Sequence, residues 1–199
     1  MENDGSVTRI AAAVDASEST IEKALEQGID LLIVHHGLFW SGLRPVTGPS
    51  YRKFKKMMDG NLAVYSMHLP LDGHAEWGNS LLLAKELGLK EIMPALEQLG
   101  HNTGITGIWE GPLSSPAARL GNILDGPVHV SAFGEENLPG RIAIASGGAG
   151  LELETVFRAR VSTVIAGEGA HWTVTMAEEL GENLSYFRQY ATETLGVQS

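Results

Sequence analysis

The chain contains no cysteine. Disulfides, thiolate nucleophiles and Cys-based zinc sites are thereby excluded, and any metal must sit on His, Asp, Glu or amide oxygens. No apolar run approaches the roughly 20 residues needed to cross a bilayer, and MENDGSVTRI lacks the basic start and apolar stretch of a signal peptide. A cytoplasmic protein with no membrane partner is the expectation. Basic residues are scarce, 14 against 24 acidic ones for a net charge of −10, which repels a phosphate backbone and makes polymeric nucleic acid a poor partner. The one dense basic run, Arg52, Lys53, Lys55 and Lys56, reads either as a solvated helix face or as a surface that attracts an anionic substrate. A Walker loop, a G-x-G-x-x-G fingerprint and a G-x-S-x-G elbow are all missing.

What is present is apolar and finely punctuated. Of 199 residues, 43% are hydrophobic and 24 are glycine, mostly between apolar runs. Many short elements joined by tight turns around a substantial core follow from this. Strands are expected at Arg9 to Asp15, Leu31 to His36, Leu62 to His68, Gly104 to Trp109, Val128 to Phe133, Arg141 to Ala145, Val161 to Ala166 and Leu184 to Tyr190. Helices are expected at Ser17 to Gly28, Pro49 to Gly60, Asn79 to Gly88, Pro116 to Leu124, Leu151 to Ala159 and Trp172 to Gly181. This alternation indicates an α/β fold. It is expected as two interlocked three-layer α/β halves of related topology, residues 1–95 and 96–199, packed tightly enough to act as one unit, with a metal site in the crevice between them. The stretch EIMPALEQLGH is the candidate boundary, and the tripeptide E-L-G closing a helix in each half is a loose internal echo.

Several polar groups fall at strand ends, where open α/β folds place ligands. LLIVHH is an apolar run ending in His35 and His36, a pattern of a strand covered on both faces. Neighbours on a regular strand face opposite ways. Either the pair sits at the strand end and splays toward a crevice, or one histidine is buried and the other exposed. His68-Leu-Pro-Leu-Asp72 follows another apolar strand; Asp72 is either a ligand able to bridge two cations or a turn and capping residue. If a helix starts near residue 189, Gln189 and Glu193 share a face, while Glu193 alone would be an ordinary surface acid. Glu168 and His171, in GEGAH, are placed to orient ligands or substrate. Ser146-Gly-Gly-Ala-Gly150 is either an anion cradle or a plain strand-to-helix turn.

Together LLIVHHGLFW, SMHLPLDGHAEWGN, GEGAH and the closing YATE resemble the NGG-interacting-factor-like (Nif3-like) family of ring-forming hexamers, also labelled GTP cyclohydrolase type-two homologs. The resemblance covers nearly the whole chain in order. It implies a dinuclear divalent-metal centre of zinc, iron, manganese or nickel, with the paired histidines on different metals. His35, His36, Asp72 and Glu193 match its ligands, and Gln189 stands where the family has histidine. A carboxamide is a much poorer ligand than imidazole, so one metal position is expected to be weakened. Arg188 replaces the glycine usual before that histidine. Relative to the family pattern, further residues before the strand at Arg9 and a longer helix after Glu193 are expected.

The function implied is a metal-dependent hydrolase of a nucleotide-like substrate, of the GTP cyclohydrolase type-two kind, with His68 and His171 as candidates for proton transfer or ligand support. The alternative is a non-enzymatic metal-binding ring scaffold acting through protein partners. A weaker third reading is nucleic-acid binding along the Arg52 to Lys56 run.

Overall fold

A computed structural model describes residues 1–135, 139–150, 152–159 and 161–199. Its α/β chain separates into two compact units, Met1–His68 with Gln198, and Leu69–Val197 with Ser199.

In the first unit, β1 (Ile10–Asp15), β2 (Leu31–His36) and β3 (Ala63–Ser66) form a parallel sheet in the order β1-β2-β3, joined by α1 (Glu18–Glu26) and α2 (Gly48–Asp59). Helix α1 starts where the sequence places it, on Ser17, whose side chain accepts from the Thr20 N–H and satisfies one of the donors left over in the first turn. Ile21 and Ala24 of α1 and Met57 of α2 pack on Leu32, Val34, Leu62 and Val64. Consecutive βαβ crossovers of one hand put both helices on one face of a sheet. Burial alternates over the first four residues of β2, with Leu32 and Val34 buried and Leu31 and Ile33 only partly so. The second face of that stretch is only partly covered, less than its continuous apolar run predicts.

The second unit carries α3 (Leu69–Asp72), α4 (Asn79–Leu87), β4 (Lys90–Gln98), β5 (His101–Trp109), α5 (Ser115–Ile123), β6 (His129–Ser131), β7 (Gly140–Ala149), α6 (Glu152–Arg158), β8 (Thr163–Gly169), α7 (His171–Leu180), β9 (Asn183–Tyr186), α8 (Gln189–Thr192) and α9 (Thr194–Gln198) except its last residue. The expected start of α6, Leu151, lies outside the described residues. Its mixed sheet runs β4-β5-β7-β8-β9-β6, and β7, β8 and β9 are parallel neighbours. This β7-α6-β8-α7-β9 run repeats the βαβαβ connectivity of the first unit. Because strand side chains alternate, Ile142 and Ile144 of β7 face the cluster of Leu83, Leu87 and Leu120, while Ala143 and Ala145 face that of Leu153, Val156 and Ala177. Helices therefore cover both faces in three layers. Helices α4 and α7 both end on glycines in the left-handed region, Gly88 and Gly181, so the E-L-G echo has a common capping role.

The division at residues 68 and 69 falls earlier than a boundary at 95 and 96. Helix α4 is the reason, since Leu83, Ala84 and Leu87 share a core with Ile105 and Ile142. The candidate boundary EIMPALEQLGH instead forms most of β4 and its turn into β5, the two strands pairing antiparallel through Gln98 and His101. Leu99 and Gly100 turn the hairpin at φ 49° and 82°, the positive pair of a tight two-residue turn.

Candidate metal centre

Parallel register assembles the histidines. Val34 of β2 lies beside Ser66 of β3, so the residues following each, His35-His36 and Met67-His68, emerge together at the carboxyl edge of the sheet. The imidazoles meet there, with ring centroids 4.8 Å apart for His35 and His36, 5.0 Å for His35 and His68, and 5.2 Å for His36 and His68. One ligand nitrogen from each lies within 4.8 Å of the others. His35 and His36 are 1% and 3% exposed. The alternative of one buried and one exposed histidine is thus not realised; ending the strand at His36 lets two adjacent residues converge.

Two rings are anchored through Nδ1. His36 Nδ1 lies 2.8 Å from Asp15 Oδ1 and His35 Nδ1 lies 3.2 Å from the Met67 carbonyl oxygen. Both partners are acceptors, so each contact fixes the proton on Nδ1 and the lone pair on Nε2, the tautomer a metal ligand needs. Asp15 ends β1 opposite His36 in register. Its role went unseen in the sequence, although RIAAAVD and LLIVHH both end in a polar group at a strand terminus.

A second polar cluster belongs to the other unit. Asp72 closes α3, and its Oδ1 accepts from Asn79 Nδ2 at 3.0 Å and Ser146 Oγ at 3.2 Å. Its carboxylate thus joins residues far apart in sequence, more than a turn or cap requires. Glu193 is only 2% exposed, and Gln189 Nε2 donates to its Oε1 at 3.4 Å, so the two do share a face, across the short helix α8. The Ser146-Gly147 step ties the cluster together: Ser146 reaches Asp72, while the Gly147 N–H donates to Thr192 Oγ1 at 3.0 Å. A Cβ on Gly147, which sits at φ 72°, would fall 2.5 Å from Glu193 Oε1. The glycine-rich segment is accordingly a continuation of β7, with a register shift between Ala145 and Gly148, instead of a strand-to-helix turn or an anion cradle. His171 opens α7 and is exposed, outside the histidine group. Glu168, on β8, lines a separate cavity of about 650 Å³ with His129, Tyr186 and Gln189.

The family model for Duf34/NIF3 (NGG1p interacting factor 3) matches residues 1–199. The chain belongs to the Duf34/NIF3 family. A relative from Halobacterium salinarum described as "GTP cyclohydrolase 1 type 2 homolog" is 40% identical over 98% of this chain and 79% of its own length. Among solved structures, protein ybgI, described as of unknown function, superposes with a TM-score of 0.90 at 30% identity, covering 100% of this chain and 79% of that one. Reduced HcgD from Methanocaldococcus jannaschii gives 0.89 at 27% identity, with the same two coverages. Among the described residues, no helix is long and apolar enough to cross a membrane.

The donor set fits a divalent cation. His35 and His36, buried side by side and held in the ligating tautomer, offer the nitrogen ligation that zinc, iron and nickel accept, with His68 beside them.

Proposed function

We propose that this Duf34/NIF3 protein is a cytoplasmic, ring-forming homo-oligomeric hydrolase that uses divalent metal to act on a nucleotide-like substrate. The observation that carries the reading is the convergence of His35, His36 and His68 at one sheet edge, with two rings oriented through Nδ1. His35 and His36 would hold metal. The wider ligand set implied by the family, Asp72, Glu193 and the weaker donor Gln189, would hold a second ion. When bound, such a cation supplies positive charge that polarises a substrate oxygen and lowers the pKa of water toward about 7.

The chain's own groups do the remaining work. Asp15 and the Met67 carbonyl hold the two buried rings and their protons in place. His68 is only partly buried and lies against both, so it can exchange a proton with solvent and deliver it beside them. His171 is the remaining candidate for proton transfer.

The test is release of product from GTP by protein loaded with zinc, manganese or iron, before and after chelation. Turnover that chelation abolishes and His68→Gln depresses, with metal content unchanged, is the expected result. Gln189, in place of an imidazole, favours the second reading, a metal-binding scaffold without turnover. A fully loaded protein inactive on a panel of nucleotides would establish that reading over the first.

A further inference from the structure

His36 also forms a wall of a cavity of about 390 Å³ in the first unit, near the lower end of the roughly 300–1,000 Å³ usual for small-molecule sites. Trp40 lines it and stacks on His36 at 4.8 Å with an interplanar angle of 28°. The indole is 57% exposed, so it retains surface on which a second flat ring can stack.

Cationic groups frame the same space. Within the basic run, Arg52 pairs with Glu18, Lys55 with Asp59, and Lys56 with Glu18 and Glu22. Lys53 differs. Its Nζ donates to the Ala16 carbonyl at 3.1 Å, and both residues line the cavity. Arg44 lines it from the segment between β2 and α2, and among the described residues neither Lys53 nor Arg44 forms an ion pair. The basic run is therefore divided between a neutralised face and one cation directed at the cavity. Against Arg44 and Lys53 stands the carboxylate of Asp15, which is engaged by His36.

The geometry points to a subsite for a flat aromatic ring bearing one phosphate monoester, with the ring on Trp40 and the phosphate between Arg44 and Lys53. A phosphate monoester carries about −1.5 to −2 near neutrality, which the two cations Arg44 and Lys53 nearly match; with the Asp15 carboxylate beside them, the larger charge of a triphosphate is met much less well. As a statement of substrate class this rests on the hydrolase reading, but binding at the subsite requires only the cavity.

The test is calorimetric titration with guanosine 5′-monophosphate, phenyl phosphate, guanosine, inorganic phosphate and guanosine 5′-triphosphate, with and without zinc. The monophosphate is expected to bind at least about 10-fold more tightly than guanosine or phosphate, and more tightly than the triphosphate. A charge-assisted hydrogen bond is typically worth enough that Arg44→Ala and Lys53→Ala should each weaken it roughly 10-fold. Equal affinity for phenyl phosphate would identify the ligand as an aryl phosphate at large, and preference for the nucleotide would identify a nucleoside monophosphate. Lys53→Ala removes a contact to Ala16 and can disturb the fold, whereas Arg44 lies on an exposed segment and keeps the test decisive. Absence of monophosphate binding, tighter triphosphate binding, or indifference to Arg44→Ala would overturn the subsite. Zinc content of the same samples separates the two ideas: monophosphate binding without zinc uptake would remove the hydrolase reading alone, and the reverse would remove the subsite alone.

Discussion

Replacing Asp15 perturbs the metal site without touching a proposed ligand. The carboxylate holds His36 through a 2.8 Å contact to Nδ1, and its side chain is 46% exposed. Its loss leaves the ring buried but free to rotate or change tautomer, so binding metal must then restore an orientation that was previously supplied. Removing such a partner typically lowers metal affinity roughly 10- to 100-fold, or about 1.4–2.7 kcal/mol. The exposure of Asp15 places Asp15→Ala near the lower end, at about 10-fold, because water can replace part of the lost interaction. Asp15→Asn keeps an acceptor oxygen but no charge, and charge-assisted bonds are roughly twice as strong as neutral ones, so a loss of about threefold is expected. Competition of zinc against a chromogenic chelator reads both values, while thermal unfolding of the metal-free proteins checks that the fold is retained. If Asp15→Ala bound zinc as tightly as the wild type while remaining folded, the orientation argument would be refuted.

Gln189→His should raise the metal content per chain or its affinity, measured by elemental analysis after loading; no change in either would show that residue 189 is not a ligand position. Leu83 is fully buried in the core of the second unit, and Leu83→Ala should cost about 2–5 kcal/mol in urea unfolding; a loss below 1 kcal/mol would contradict that packing. Asp30 accepts 2.8 Å hydrogen bonds from the Thr8 and Arg9 N–H groups and the Thr8 hydroxyl, which hold its carboxyl below the usual aspartate range. Its contribution is therefore complete above the unfolded value of about 4 and is lost as pH falls through the lower folded value. Asp30→Asn should remove this acid-dependent part of the stability profile, and identical pH profiles for the two proteins would contradict the assignment.

Local patterning made much of the α/β fold legible. Ser17 marks the start of α1, the glycines after α4 and α7 mark their ends, and the apolar run ending in His35 and His36 marks β2. Strand β4 escaped because its hairpin turns on Leu99-Gly100, where leucine gives none of the usual Asn or Asp signal. Asp15 escaped for a different reason: an aspartate after a strand is common, and its meaning depends on the register of β1 against β2. Glu193 is ordinary by local pattern alone and gains significance from the family resemblance. Its burial depends on the close approach of β7 at Gly147, a long-range contact that no local spacing encodes.

Metal content per chain, measured on wild type, His35→Ala, His36→Ala and His68→Gln proteins purified without chelator and then loaded with zinc, tests the central claim most directly. The account predicts bound metal in the wild type, its loss in both alanine variants and its retention in His68→Gln. A folded wild type that takes up no metal, or alanine variants that keep the full complement, would contradict it.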